Sequence, residues 1–386
     1  MIQETATILE SIVEINEKGR YYYILSGSDN KIWLLPSTDV RKGLEIYGAG
    51  SRKGVLLKTI LPWIIKMPII PKLLAIEKVG LSLKQNVKEI LNEVSPEYLL
   101  SIYLGNTEYV QNRKVIIQIF NGCRIFGYAK FGLEQIVLDS FNKEVDTLLY
   151  LGNNGIRGIP KVLWSGKIGQ LGGFIQSTNR KGGEQTIYTL EKEHWDFLKQ
   201  IKSATGKEID FLSSSYRKVV RSFGMTVSES NWKCKDMLLE CIENMERYYG
   251  EHKLAVSFYH GDFTPWNVCY KKSDLFVFDF EYAQKDFPVA MDAFHYITQV
   301  GILAKNMRAE EIFQNVMNHA EQLLLFVKDI KFAYIQYLLY IIAFYYKRMG
   351  EKLTENERSC QVWIRLIELC IVDDLDKERL TIKSQV

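Results

Sequence analysis

The stretch of this chain that decides its fold is residues 258–270, which read FYHGDFTPWNVCY. Apolar, β-prone positions flank a polar loop in which Asp262 and Asn267 lie five residues apart. After a short polar turn, residues 275–282 read LFVFDFEY, a second apolar run that ends in Asp279 and Glu281. The pattern predicts a loop followed by two strands, with the carboxylate of Asp279 held at the rim of a core.

This spacing has a chemical meaning. An Asp and an Asn five residues apart, with a further Asp after the following strand, are typical of the catalytic loop of kinases. Phosphoryl transfer needs a neutralised phosphate charge and an aligned nucleophile, with little covalent help from the protein. Asp262 is therefore predicted to accept or orient the proton of a substrate hydroxyl. Asn267 and Asp279 are predicted to hold Mg²⁺ against nucleotide phosphates, because Mg²⁺ prefers oxygen ligands.

The same residues resemble the aminoglycoside phosphotransferase and choline kinase superfamily. The resemblance is carried by residues 260–262 (HGD), four further residues and Asn267, followed by residues 279–283 (DFEYA). Gly261 stands where protein kinases usually have Arg, and this favours the small-molecule branch. The DFEYA run looks especially like choline and ethanolamine kinases. The resemblance is strong over 255–296, extends more weakly over 99–300, and is absent for 1–95.

The resemblance implies further roles. It assigns ATP as the phosphate donor and Asp292 as the residue that braces the catalytic loop. His260 is expected to support the loop backbone by hydrogen bonding. Glu281 has two possible roles, which are substrate binding and a second contact to the metal. His295, which follows Asp292 on the same predicted helix, is expected to pack in the core.

The resemblance also points to nucleotide-binding residues upstream. It implies a lysine on the third strand of the N-lobe that reaches the phosphates, and Lys130 falls at that place, with Glu144 on the next helix as its expected partner. Gly105 would begin the turn that covers the phosphates, although this turn lacks the full glycine-rich pattern. Gln176 and Thr178, after the fifth strand, are expected to form the adenine-binding hinge.

The predicted fold class is α+β, in the two-lobed protein-kinase-like arrangement. Residues 96–180 read β-β-β-α-β-β and predict an N-lobe with an antiparallel sheet plus one helix. Residues 181–386 are mainly helical around the catalytic and metal-binding loops and predict the C-lobe. Residues 1–95 are expected to be an accessory α/β segment. Its β-rich runs, the first at 8–15, predict a meander, and basic apolar helices follow.

Residues 52–78 are apolar and basic, and no acidic residue lies between Glu45 and Glu77. One interpretation is peripheral contact with an anionic membrane surface. The other is a helix pair packed on the next domain with its lysines in water. Prolines at 62, 68 and 71 break the stretch into short pieces. The sequence leaves both interpretations open.

Composition excludes several other classes. The net charge of +3 over 386 residues shows no basic bias for nucleic-acid binding. Six cysteines without a CxxC pair and five histidines without ligand spacing argue against a disulfide framework or a zinc site. The first residues lack the pattern of a signal peptide, so a cytoplasmic location is expected.

These observations predict an ATP- and Mg²⁺-dependent phosphotransferase acting on a hydroxyl of a small molecule. The acceptor classes are an amino alcohol, a sugar, an amino sugar or a glycolipid precursor. Trp266 and Tyr282 would suit a cationic acceptor by offering aromatic faces, and a neutral hydroxyl fits equally well. Two alternatives remain: a catalytically silent nucleotide-binding protein that uses 1–95 for interaction, and a protein kinase.

Overall fold

The structure is a computed structural model that describes residues 2–27, 31–47, 52–67, 76–105, 113–122, 124–180, 186–271, 274–350 and 353–383. The chain forms two compact units. The first comprises residues 1–153 and 159–184, and the second comprises 154–158 and 185–386. The predicted α+β class is confirmed, with an antiparallel sheet in the N-terminal part and a mainly helical C-terminal part.

One antiparallel sheet dominates the first unit. Its described strands are β1 (Val13–Ser26), β2 (Ile32–Pro36), β3 (Glu77–Leu83), β4 (Leu99–Leu104), β5 (Val115–Phe120), β6 (Ile125–Gly132), β7 (Val162–Ile168) and β8 (Leu171–Ser177). They are ordered β3-β1-β2-β4-β5-β6-β8-β7. The helices are α1 (Ile2–Ile12), α2 (Val40–Gly43) with a 3₁₀ turn (Leu44–Ile46), α3 (Arg52–Ile64), α4 (Gln85–Val94) and α5 (Gln135–Asn153).

The predicted β-β-β-α-β-β order of 96–180 is present as β4, β5, β6, α5, β7 and β8. Strand β2, from the segment predicted to be accessory, pairs antiparallel with β4, and Ile32 lies opposite Leu104. The segment 1–95 therefore extends the sheet of 96–180. This pairing satisfies backbone groups of β4 that an exposed sheet edge would leave open.

The first predicted strand, at 8–15, is wrong over most of its length, because α1 continues to Ile12. Ile8 and Ile12 are each 0% exposed and belong to the core on one face of the sheet. Their spacing of four places both side chains on one face of a helix. A short β-branched run does not reveal this by itself, since it fits a strand and a buried helix equally well.

Both faces of the sheet are covered. Leu34 and Leu35 are neighbours on β2, so their side chains point to opposite faces. Leu34 packs in the core that contains α1 and α4, whereas Leu35 packs with α2 and α3 through Val40 and Leu61. Helix α3 is therefore held against the second face of the sheet.

The second unit is mainly helical. Its helices are α6 (Lys192–Thr205), α7 (Ser215–Ser228), α8 (Lys235–Glu251), α9 (Met291–Gln299) with a π-helical turn (Val300–Ala304), α10 (Ala309–Asn318), α11 (Ala320–Leu323), α12 (Ile330–Met349) and α13 (Arg358–Lys383). Its strands are β9 (Lys207–Ile209), β10 (Leu254–Tyr259), β11 (Val268–Lys271), β12 (Asp274–Val277) and β13 (Gln284–Pro288). They form a sheet ordered β13-β10-β9 and a separate β11-β12 hairpin. None of the helices in the described part of the chain has the length and apolar character needed to cross a membrane.

Candidate active site

The loop between β10 and β11 turns sharply at Gly261. Its φ is +85°, in the region that glycine enters without steric cost. A Cβ at this position would lie 2.5 Å from the carbonyl oxygen of Tyr282. Both facts exclude a larger side chain, so this turn of the loop depends on glycine.

Asp292, in the first turn of α9, holds the start of the loop. The backbone N–H of His260 donates to its Oδ2 at 2.8 Å, and the N–H of Gly261 donates to its Oδ1 at 3.3 Å. Burial raises the pKa of Asp292 to about 7, although both N–H bonds act in the opposite direction. The carboxyl group therefore sits where the resemblance places a brace for the catalytic loop.

His260 connects the loop with the end of β12. Its Nδ1 accepts the N–H of Asp262 at 3.2 Å, and its Nε2 lies 3.1 Å from the carbonyl oxygen of Phe278. These partners require a neutral ring with the proton on Nε2, because one nitrogen must accept and the other must donate. Burial lowers the pKa of His260 to about 4, in keeping with that state. The geometry matches support of the loop backbone.

The buried state of His260 predicts a dependence of stability on pH. Unfolded His260 binds a proton below about pH 6.5, whereas the folded protein does not do so until about pH 4. Acidification across this window therefore favours the unfolded state by about 3 kcal/mol for this group. Asp292 has the opposite effect on stability. In the folded protein its carboxyl group stays protonated up to about pH 7, so its contribution to the free energy of unfolding falls as the pH rises from about 4 to 7.

The variant His260→Gln separates the two effects, because its amide can still donate towards Phe278 and does not titrate. We expect the unfolding free energy of the native chain, minus that of the variant, to fall by about 3 kcal/mol between pH 7 and pH 4. Urea unfolding at several pH values measures this difference. Parallel curves for the two proteins would mean that His260 is not held neutral.

Asp262 and Asn267 are joined within the loop. The side-chain nitrogen of Asn267 donates to Oδ2 of Asp262 at 2.8 Å and to its backbone oxygen at 3.0 Å. The amide nitrogen is thereby committed to Asp262, and the amide oxygen is the atom that can accept a cation. The Asp262 side chain is 31% exposed, so solvent and substrate can reach it.

Asp279 follows the β11–β12 hairpin directly. The N–H of Phe278, the residue before it, donates to the backbone oxygen of Asn267 at 3.1 Å, which ties the two segments together. Burial raises the pKa of Tyr282, and the charges of Glu281, Asp262 and Asp279 raise it further, against the effect of Arg348. The backbone of Asp279 has a φ of +68°, which is rare for a residue other than glycine. Such strain often occurs at functional sites.

His295 is buried, which confirms its predicted packing in the core. It also reaches the loop, because its Nε2 lies 3.3 Å from Oδ1 of Asp262 and its Nδ1 lies 3.2 Å from the hydroxyl of Tyr337. A carboxylate can only accept, so Nε2 donates to Asp262. One signal was available: His295 follows Asp292 by three positions, and residues at that spacing share a helix face.

The first unit holds the predicted nucleotide-binding residues. The ammonium of Lys130 on β6 lies 2.7 and 2.9 Å from the two carboxylate oxygens of Glu144 on α5. The side chains are 6% and 1% exposed. Gln176 is buried at the end of β8, and Thr178 follows this strand and accepts the N–H of Arg180. Gly105 follows β4, and the two residues after it lie outside the described residues.

The donor set fits nucleotide and Mg²⁺ binding. Across the described residues, no group of three or more His, Cys, Asp and Glu side chains could hold a metal by itself. Mg²⁺ commonly takes only one or two protein ligands and completes its shell with phosphates and water, so Asn267 and Asp279 suffice. In the first unit, Oε1 of Gln176 is buried and has no hydrogen-bond partner among the described residues. A donor group of a nucleobase would satisfy it.

Comparison with known proteins adds the following. No protein-family model matches this chain, and no curated protein matches it. It is similar to the solved GDP complex of aminoglycoside 2'-phosphotransferase-IIIa, with 15% identity and a TM-score of 0.46 over 75% of this chain and 99% of that chain. Choline kinase LicA from Streptococcus pneumoniae has 13% identity and a TM-score of 0.45 over 74% of this chain and 99% of its own.

A third similar structure is a thermostable mutant of aminoglycoside phosphotransferase APH(4)-Ia in a ternary complex with ADP and hygromycin B. It has 12% identity and a TM-score of 0.48, over 74% of this chain and 98% of that chain. Two of the three structures are named aminoglycoside phosphotransferases and one a choline kinase.

Proposed function

We propose that this protein is an ATP- and Mg²⁺-dependent phosphotransferase that acts on a hydroxyl group of a small molecule. The observation that supports it best is the arrangement of Asp262, Asn267 and Asp279 around one loop. Asp262 is held by two side-chain partners and Asn267 by Asp262, and the residue before Asp279, Phe278, is bonded to the backbone of Asn267.

In the proposed reaction Asp262 receives the proton of the acceptor hydroxyl. Its Oδ1 is bound by His295 and its Oδ2 by Asn267, so the carboxylate plane is fixed. Each oxygen keeps a second lone pair, and one of these can accept the substrate hydroxyl. The substrate oxygen bonds to the γ-phosphorus of ATP, and the bond between that phosphorus and the bridging oxygen of the departing ADP breaks. The proton of the substrate hydroxyl passes to Asp262.

The remaining residues bind and orient the nucleotide in this proposal. Asn267 and Asp279 would hold Mg²⁺, which when bound supplies positive charge against the phosphates. Lys130 would contact the phosphates, with Glu144 fixing the position of its ammonium group. Gln176 would accept a hydrogen bond from the base. Glu281 remains a candidate for substrate binding or a second metal contact.

The surroundings of Tyr282 limit how this ring can contact an acceptor. The guanidinium group of Arg348 lies 5.5 Å from the centroid of this ring. That face of Tyr282 is thus already taken by a cation and is not open to the ammonium group of a substrate. The charges of Glu281, Asp262 and Asp279 also act on Tyr282, so both cationic and neutral acceptors remain candidates.

A substrate screen tests the proposed function. Purified protein is supplied with ATP and Mg²⁺ and with neutral sugars, amino sugars, amino alcohols, glycolipid precursors and a protein substrate, and ADP release is followed. Turnover on a small hydroxyl compound supports the proposal. Labelling of the protein substrate alone would point to a protein kinase. ATP binding with no turnover on any compound would point to a silent nucleotide-binding protein.

The metal assignment is tested with Asp279→Asn. Asn tolerates a positive φ almost as well as Asp, so this change removes the charge and leaves the backbone intact, which alanine would not ensure. We expect ATP affinity in the presence of Mg²⁺ to fall at least about tenfold, and affinity without Mg²⁺ to change little. Calorimetric titration measures both. Equal loss with and without Mg²⁺ would remove Asp279 from the metal site.

His295 is predicted to act as a positioning residue for Asp262. His295→Phe removes a hydrogen bond to the carboxylate, and we expect kcat to fall about tenfold while KM changes little. His295→Gln, whose amide can donate in the same direction, should recover much of the loss. His252→Phe, at an exposed position, is the control. Equal kcat for the Phe and Gln variants would indicate that only packing matters.

A further inference from the structure

Helix α3 carries a row of apolar side chains that face solvent. Leu56, Ile60, Trp63 and Met67 are 58%, 40%, 69% and 53% exposed. Their spacings of four, three and four residues place them along one side of the helix and its C-terminal turn. We name these four residues the α3 stripe. Single exposed apolar residues are common, but a contiguous row marks an interaction surface.

The opposite side of α3 is anchored in the first unit. Leu61 and Ile65 are each 1% exposed and pack in the core with Leu35, Val40 and Leu44. One side of α3 is therefore already buried against the first unit. The α3 stripe is a second apolar face, which points away from that core.

The sequence segment that carries the α3 stripe is basic. Between Glu45 and Glu77 the sequence contains no acid but has the basic residues Arg52, Lys53, Lys58, Lys66 and Lys72. Lys66 is exposed just before Met67, and the Lys58 ammonium is paired with Glu45 at 3.1 Å. Exposed Trp, Leu and Ile beside lysines are the combination that lies at the boundary of headgroups and acyl chains in an anionic membrane.

We propose that the α3 stripe docks this protein on the surface of an anionic lipid bilayer. The apolar side chains enter the acyl boundary, and Lys66, exposed beside Met67, meets the lipid phosphates. A second copy of the chain fits less well, because two such stripes face to face would bring basic residues together. The proposal does not depend on the enzymatic activity, since it concerns a different surface.

Vesicle sedimentation with the full chain tests this inference. Vesicles of phosphatidylcholine alone are compared with vesicles that contain phosphatidylglycerol, at low and high salt. We expect binding to the anionic vesicles that weakens at high salt, since counter-ions screen the lysines. Leu56→Glu should weaken it at least about tenfold, because it replaces an inserted apolar group with a like charge to the lipid.

Leu212→Glu is the matched control, because Leu212 is also 58% exposed and lies in the second unit. Thermal unfolding of both variants checks that they fold. A depth readout is available from brominated lipid, which should quench fluorescence in the native chain and less in Trp63→Phe. The proposal is overturned by absence of binding to anionic vesicles or by equal loss in both Glu variants. A dimer that is disrupted by Leu56→Glu, without vesicle binding, would assign the stripe to self-association.

Discussion

Replacing Asp262 with Asn is expected to lower kcat by about 10²–10⁴-fold, the usual contribution of a positioned proton acceptor. The variant should remain folded. An amide at this position can still accept from Asn267, and the ring of His295 can change its tautomer to accept from the new NH₂ group. ATP affinity should change little, because Asp262 is proposed to contact the acceptor hydroxyl.

The measurement is steady-state turnover on the acceptor found in the substrate screen, together with ATP titration of the same preparation. Asp196→Asn is a matched control: the same change at an exposed acid on α6 that pairs with Lys192. An unchanged kcat in Asp262→Asn would refute the proposed chemistry of the loop. A loss of both turnover and ATP binding would instead indicate damage to the nucleotide site.

Breaking the pair of Lys130 and Glu144 from one side is expected to destabilise the protein by about 3–5 kcal/mol. Both side chains are almost fully buried. Glu144→Gln keeps the shape of the side chain but removes the counter-charge that lies 2.7 Å from the ammonium. A buried charge without its partner is costly, since desolvation is no longer offset by attraction.

The double variant Lys130→Met, Glu144→Gln separates stability from function. It carries no buried charge at this place, so we expect most of the unfolding free energy to return. ATP affinity should stay low in both variants, because each lacks a correctly held ammonium group. Denaturant unfolding and ATP titration provide the two readouts. Full ATP affinity in the double variant would show that Lys130 does not contact the nucleotide.

Much of the site follows from local sequence. The five-residue spacing of Asp262 and Asn267 is short enough that one loop must bring them together. The apolar runs after the loop form β11 and β12 as predicted, since their periodicity and turn residues act over a few positions.

The contacts between different elements could not be predicted, because they depend on which faces of the helices, strands and loops pack together. The sequence suggested Lys130 and Glu144 as partners only through a family resemblance, and the ion pair itself requires β6 and α5 to pack. His295 lies 33 residues from Asp262 along the chain; its spacing from Asp292 puts both on one face of α9, but the contact itself requires that face to pack against the loop. The run that contains Ile8 and Ile12 fits a strand as well as a helix by sequence, and its helical face becomes clear only where it packs on the sheet.

The sequence alone therefore determined the loop that joins Asp262 and Asn267 and the strand and helix order of residues 96–180. Only the tertiary structure decided that β2 extends the sheet through β4, that His295 reaches Asp262, and that α3 turns a second apolar face to solvent. The physical reason is the distance along the chain over which each effect acts. Backbone preferences and side-chain periodicity act within one element, whereas burial and hydrogen bonding between elements depend on the whole chain having packed.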